Sequence, residues 1–431
     1  MQTSPHRLPA GLRVREAHAH LLWHGQSLDR VDLSGCVSPG QALELIGQRG
    51  ANTEGDLFAG GARPEAWDPP RWPTLDELDA ATGDRAAVLW CFDTHAAMVN
   101  SRALHELGLS ERTPDPGDGV IGRDEHGRPN GVLAESAVEP LRELERRDPT
   151  RVREQVRAAC ADLLGHGFDE VHDLKTEPWL PSLLAEADFP MPRLVFYPLV
   201  EDLPGLARER GAWETRGLRL GGGKLFADGT LNSRTAWMLE DWADAATAAS
   251  DHPRGVAMHT PAEIESAVRT CVGLGLPIAC HAIGDGAARA VLDAIERVGP
   301  VRGEGLGGAV GRHRIEHAQL VHPDDVPRFA ALGVVCSMQP CHLLYDIEAL
   351  HHAVPDRLDR AQPIRSLIEA GSTPGELLWF GSDTPVVRPD PGDSLQAAIE
   401  RRRVGMPAEA AIGPREAISP EQAAACFALP G

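Results

Sequence analysis

From about residue 165 onward, short apolar runs alternate with longer stretches of helical periodicity, and this rhythm restricts the fold more than any single motif. The runs are Asp169–His172, Arg193–Leu199, Leu218–Phe226, Leu276–His281, His313–His317, Val334–Met338 and Leu377–Gly381. Helical patterns lie between many of them, at Pro149–Leu164, Pro261–Leu274, Gly286–Val298, Pro323–Leu332 and Pro363–Ala370. Counted with the stretch before His18, this makes eight strands with interleaved helices, the pattern of an α/β chain that closes into a (β/α)8 barrel. An open doubly wound sheet competes with that reading. It would carry a glycine-rich phosphate turn between an early strand and its helix. Gly221–Gly223 lies at the start of a strand and does not supply one.

Residues 25–148 interrupt the rhythm. They are rich in Gly, Pro, Trp, Asp and Arg, as in GARPEAWDPPRWPTLDELDAATGD and PDPGDGVIGRDEHGRPNG. The expected organisation is a first strand with its motif at 11–24, a long insertion at 25–148 and the rest of the barrel at 149–431. Loops that follow strands border the active site in such a fold, so the insertion reads either as a lid that sets substrate range or as cover for apolar surface. At 431 residues the chain is long for an ordinary single domain but within reach of a barrel with insertions.

Composition excludes other classes. A net charge of −21 argues against a nucleic-acid or anionic-membrane binder, which needs basic patches. No apolar run reaches transmembrane length, and MQTSPHRLPAG lacks the apolar core of a signal peptide. The eight cysteines form no CxxC pair. Cys91, Cys160, Cys271, Cys280 and Cys336 sit among apolar residues and read as buried thiols, which fits a reducing cytoplasm. The Arg401–Arg403 run reads as a solvated helix face.

The chemistry sits where the apolar runs end. The first strand leads into His18-Ala-His20, and in a strand alternate residues share a face, so both imidazoles would point one way. The fourth run, RLGGGKLFADGT, carries Lys224. The fifth, LPIACHAIGDG, ends in His281, the sixth, HRIEHAQLV, in His317, and the eighth, LLWFGSDTPV, in Asp383. Alone, each His reads as a hydrogen-bonded core residue and the Asp as a turn residue. A lysine inside an apolar strand is harder to dismiss, because an unpaired buried ammonium is costly. Four His, one Lys and one Asp on five of eight strand ends, in barrel order, point to a metal site at one mouth.

The stretches HAHLLWHGQSLDRVDLSG, RWPTLDELD, DTHAAMVNSRAL, GRPNGVLAES, KLFADGTLNSRTA, HAIGDGA, RIEHAQLV, SMQP and GSDTPV together span most of residues 18–390. In them the chain resembles the amidohydrolase superfamily and, in detail, amidohydrolase family 3, the branch related to N-substituted formamide deformylases. The resemblance implies that His18, His20 and Asp383 bind one divalent metal ion and that His281 and His317 bind a second. Lys224, carboxylated by CO2 on its ε-nitrogen, would bridge the pair. The carbamate would replace a cation by a hard anionic ligand. Imidazoles with carboxylate oxygens suit Zn2+, with Mn2+ or Fe2+ as alternatives. Asp383 would be the catalytic base that takes a proton from water and hands it to a leaving nitrogen. The implied activity is hydrolysis of a non-peptide carbon–nitrogen bond, in an amide or an N-formyl or N-acyl amine.

Other residues in the matched stretches keep two readings. His95 and Glu135 either contact substrate or tie the insertion together. Arg234 meets a substrate group or forms a surface ion pair. Asp285 orients His281 or caps the next helix. His172 faces the mouth without being marked as a ligand. The family normally adds a β-sandwich built from both flanks of the barrel. Here only 17 residues precede His18, and ISPEQAAACFALPG begins the usual last helix and stops, so that sandwich is expected to be largely missing. Two rivals to the amidohydrolase reading are a non-catalytic metal- or ligand-binding barrel and an esterase or lactonase on the same metal site. The expected partner is a small-molecule substrate, with no nucleic acid and no membrane, and a homodimer is the assembly to test.

Overall fold

The computed structural model describes residues 3–92, 94–117, 119–215, 217–301 and 311–430. The chain divides into two compact units, Gly25–Ala158 and a larger one made of Met1–His24 with Ala159–Gly431.

The larger unit is built on parallel strands. Val14–Ala19, Phe168–Leu174, Arg193–Tyr197 and Leu218–Leu220 form one sheet in that order. Gly223–Phe226, Ile278–Ala282, Arg314–His317, Val335–Met338 and Leu378–Phe380 form another. Parallel bridges join the two sheets at both edges, between Leu199 and Lys224 and between Ala19 and Thr384. The pairing therefore runs in a ring, in sequence order. Helices such as Pro261–Gly273, Asp285–Val298 and Val326–Leu332 connect successive strands, as parallel pairing requires.

Each strand lies where an apolar run predicted one, with three local differences. The first strand is Val14–Ala19 and so includes His18; all six of its residues are buried, as for strands covered on both faces. The fourth run is broken between Leu220 and Gly223. A Cβ on Gly221 would lie 2.5 Å from the Tyr197 ring, and one on Gly222 would strike the Pro277 backbone, so only glycine lets the chain step through here. The helix expected from Pro323 begins at Val326, because a turn bonding Asp325 N–H to the His322 carbonyl comes first.

The ends of the chain meet beside the first strand. Val14 forms an antiparallel bridge with Ala428, and Leu429 N–H bonds the Arg13 carbonyl at 2.9 Å. Arg401, expected on a solvated face, is instead fully buried. It follows the helix Pro391–Glu400 in the left-handed conformation, and its guanidinium donates to the carbonyls of Ile412, Gln362 and Ala361. Three carbonyl acceptors make burial of this cation tolerable where water would otherwise be needed.

Residues 25–148, expected as one long insertion, fall in the Gly25–Ala158 unit, which has its own core. Its six-stranded sheet runs Val31–Asp32, Leu57–Ala62, Ala87–Cys91, Ala96–Val99, Pro129–Ala134 and Val120–Arg123. Along the strand Ala87–Cys91, Leu89 joins a cluster with Leu33, Ile46 and Trp67, while Val88 and Trp90 join one with Leu133 and Leu141. Alternate residues thus feed two cores on the two faces of one sheet. Its Gly- and Pro-rich segments are turns between short strands, and they hid that period in the sequence. Among the described residues no helix is long and apolar enough to cross a membrane.

One glycine sits where the ring closes. A Cβ on Gly381 would lie 2.6 Å from the backbone nitrogen of His18 and against the Glu16 carboxylate. Gly381→Ala is expected to destabilise the protein by about 1–3 kcal/mol through overpacking and to loosen the site above it. Thermal unfolding of metal-free protein checks this; an unchanged midpoint would show that the two strands part without cost.

Candidate metal centre

His18, His20 and Asp383 come together although more than 360 positions separate Asp383 from the two histidines in sequence. Their ligand atoms lie within 4.8 Å of one another. The loop after Leu378–Phe380 carries Asp383, whose N–H bonds the His18 carbonyl at 2.7 Å, while His20 N–H bonds the Thr384 carbonyl at 2.9 Å. These backbone bonds hold the first and last strands edge to edge at the level of the side chains. Glu16 adds to the closure: its Oε1 accepts from the N–H groups of His18 and Ser382, both at 2.9 Å. Burial pushes the Glu16 carboxyl up to about 8, against the pull of those two N–H donors.

The rings are oriented from behind. His20 Nδ1 lies 2.6 Å from the Leu174 carbonyl, which can only accept, so Nδ1 carries the hydrogen. His18 Nδ1 lies 2.8 Å from Glu316 Oε2. In the neutral rings the Nε2 lone pairs then face forward, and both are aimed at Asp383 Oδ1, at 3.3 Å from His18 and 3.0 Å from His20. Three acceptors converge on one point in a buried pocket. Asp383 Oδ1 has no hydrogen-bond partner among the described residues. Such a set is repulsive until a cation sits among the lone pairs, so the donor set fits a metal ion.

His281 and His317 flank this point. The His317 ring centroid lies 4.8 Å from that of His18 and 4.4 Å from that of His281. His281 Nε2 is 3.0 Å from the Gly229 carbonyl and must donate to it, which leaves Nδ1 as its lone-pair nitrogen. His317 Nδ1 is buried and without a hydrogen-bond partner among the described residues. Lys224 is fully buried, its Nζ likewise lacks a hydrogen-bond partner, and it lies 4.8 Å over the Phe226 ring.

Electrostatics keep the nitrogens available. Burial holds His18 and His317 well below the ordinary imidazole value, and His281 falls to about 4 for the same reason. All three are neutral, as ligands must be, at neutral pH. Burial also lowers Lys224, against the charges of Glu316 and Asp383. Burial works against ionised Asp383, but a positive charge shared with His18 and His20, whose place a metal ion would take, holds the carboxyl well below its usual range. His317 and Asp383 have φ of +73° and +65°, backbone that non-glycine residues adopt at a cost and that clusters at functional sites.

The remaining sequence candidates have partners of their own. His95 and Glu135 sit in the Gly25–Ala158 unit, paired with each other at 3.0 Å and both more than half exposed. Arg234 pairs with Asp244 at 3.1 Å and donates to the Leu231 carbonyl. Asp285 has neither expected role: Gly284 is the cap of the helix, and Asp285 accepts from Leu239 N–H at 2.8 Å. The carboxylate next to His281 is Asp228, 3.6 Å from its Nε2, which also accepts from the N–H groups of Ile283, Gly284 and Trp237. His172 is fully buried between Glu170 and Arg314.

Sequence reasoning missed Glu316 and His342. Glu316 and Arg314 alternate on a strand whose residues are all buried, and two charges in a buried strand signal a pair. His342 opens the helix His342–Ala353 and puts Nε2 3.1 Å from the Ser382 carbonyl and 3.8 Å from Asp383 Oδ2. Only the tertiary contact marks it.

Comparison with known proteins bears on the family of the chain. The pattern described as "Amidohydrolase family" matches residues 15–429. The chain is 30% identical over 405 residues to the putative amidohydrolase YtcJ of Bacillus subtilis, covering 90% of this chain and 72% of that protein. It is 26% identical over 440 residues to the N-substituted formamide deformylase of Arthrobacter pascens, covering 96% and 77%. Among solved structures it is similar to an uncharacterized metal-dependent hydrolase from Pyrococcus furiosus, with a TM-score of 0.75, 28% identity and coverage of 96% and 80%. A match that starts at the strand bearing His18 and runs past the loop bearing Asp383 takes in every residue of the cluster, and the chain belongs to the amidohydrolase family, in its family 3 branch.

Proposed function

We propose that this protein is a metal-dependent hydrolase whose ring of eight strands is a (β/α)8 barrel, and that it cleaves a non-peptide carbon–nitrogen bond in a small molecule. The observation that carries the reading is the convergence of His18 Nε2, His20 Nε2 and Asp383 Oδ1 on one point. His18, His20 and Asp383 would hold one ion and His281 and His317 another, with Zn2+ the metal best matched to these donors. Lys224 would bridge them as a carbamate. Its lowered pKa favours the neutral amine, whose lone pair adds to the carbon of CO2 while the nitrogen gives up a proton to solvent. The buried amine would thereby become an anion between cations, and no unpaired ammonium would be left buried.

When bound, the metal lowers the pKa of water and polarises a substrate carbonyl. The chain does the rest. Asp383, kept ionised, takes the proton from water and passes it to the leaving nitrogen. The relatives support amide chemistry through the names amidohydrolase and N-substituted formamide deformylase. The described cysteines are all free thiols, seven of them buried and Cys36 half-buried, which supports the cytoplasm as the compartment.

The test is to purify the protein with zinc and bicarbonate, count metal by elemental analysis, and assay N-formyl and N-acyl amines beside matched esters. One or two ions per chain with faster amide than ester turnover is the expected result. Hydrolysis of esters or lactones alone rejects the carbon–nitrogen reading. Metal without any turnover on such a panel favours a binding barrel.

A further inference from the structure

The layer of the ring beneath the metal cluster is charged. Branched apolar side chains usually fill such layers. Here Arg314 and Glu316, both wholly buried, occupy it. Arg314 Nε lies 2.8 Å from Glu316 Oε1, and its terminal nitrogens reach Glu316 Oε2 at 3.1 Å, Ser337 Oγ at 3.0 Å, the Ala17 carbonyl at 2.7 Å and His172 Nδ1 at 2.6 Å. The guanidinium lies 4.9 Å from the Tyr197 ring and 5.0 Å from the Trp379 ring. His172 Nε2 in turn meets Glu170 Oε1 at 3.1 Å, and Glu170 pairs with Arg193 at 3.2 Å. Contacts on several sides hold Arg314 in place.

This clamp serves one contact above it. Glu316 Oε2 is 2.8 Å from His18 Nδ1. A buried ion pair is weak support for a fold, since a well-packed apolar pair of similar volume is often as stable. Retention of this one calls for another reason. His20 has its Nδ1 held by a neutral carbonyl, that of Leu174. His18 has a carboxylate, which fixes the ring and also makes its Nε2 a stronger donor. The two imidazoles of the His-x-His motif are therefore not equivalent.

We propose that Glu316, clamped by Arg314, is a positioning residue that fixes the tautomer and aim of His18 and so sets how tightly the His18–His20–Asp383 position holds its ion. The inference rests on the reading of His18 as a metal ligand. It assigns Glu316 no contact with substrate, and it predicts a smaller effect at the His281–His317 position, which Glu316 reaches through its charge and not through a hydrogen bond to a ligand.

The experiment uses the full chain with Glu316→Gln, Glu316→Leu and the double change Arg314→Met with Glu316→Leu. Thermal unfolding of each metal-free protein is measured first. Zinc affinity then comes from competition with a chromophoric chelator, and the ligand field from the visible bands of the cobalt-loaded protein. The expected result is a loss of ~10–100-fold in affinity for one ion, the range for removal of such supporting groups, with the second ion weakened less. Glu316→Gln, which keeps an uncharged oxygen, should fall between wild type and Glu316→Leu. The cobalt bands should shift in all three. The double variant should regain stability relative to Glu316→Leu, because no unpaired guanidinium is left buried, yet stay weak for the ion. Wild-type affinity in the double variant overturns the proposal, and so does affinity that simply follows stability across the series. If no variant folds, the pair is a strut and the positioning role is rejected. Wild-type protein that takes up neither metal rejects the metal reading itself, a result distinct from tight binding that ignores Glu316.

Discussion

Asp383→Asn should cut turnover by roughly 10²–10⁴-fold while metal content falls far less. Asparagine keeps the size of the side chain and one oxygen, and it tolerates the left-handed backbone better than most residues, so the φ of +65° at this position is not disturbed. The bond from residue 383 N–H to the His18 carbonyl is also kept. What disappears is the proton acceptor. His18, His20, His281 and His317 remain, so elemental analysis should still find metal. The measurement is metal content and turnover on the best amide found, wild type beside variant. Because Asp383 is held ionised far below neutrality, the acid limb of the wild-type rate profile should not report this carboxyl. Near-normal turnover with full metal in the variant would show that Asp383 is not the base.

Lys224→Ala should remove the bridge between the proposed ion positions. The expected outcome is loss of part of the metal and a fall in turnover of ~10³-fold or more, since metal assistance is worth several kcal/mol. Lys224 is fully buried and its Nζ has no hydrogen-bond partner among the described residues, where it is not serving as an ordinary ion-pair partner. Alanine leaves the space of the lysine side chain free beside the proposed ligands, and acetate or propionate fits the place of a carbamate. Partial return of activity and metal with these acids, and none with chloride at equal ionic strength, supports the carbamate. Full metal content and turnover in the untreated variant would exclude a bridging role.

Much of the ring was legible because strands and helices leave a local period. Runs such as Leu276–His281 and Val334–Met338 are mostly apolar because their strands, Ile278–Ala282 and Val335–Met338, are buried on both faces. Polar groups at the ends of such runs stand out against that background, which is why His18, His20, Lys224, His281, His317 and Asp383 could be picked from sequence. The Gly25–Ala158 unit was less legible. Its strands are short and its turns dense, and its sheet mixes parallel with antiparallel pairs; no window was long enough to show the two-residue alternation.

The sequence by itself determined which segments become strands and which residue types stand at their ends, since both follow from contacts within a few residues. The tertiary structure alone decided which of those residues meet. Asp383 reaches His18 only because Ala19 bridges Thr384 and closes the ring. Glu316 lies behind His18 although 298 positions separate them, and Asp228 rather than Asp285 stands beside His281. The physical reason is that an imidazole's tautomer and a buried carboxylate's partner are set by hydrogen bonds between strands far apart in the chain, and local periodicity carries no record of them.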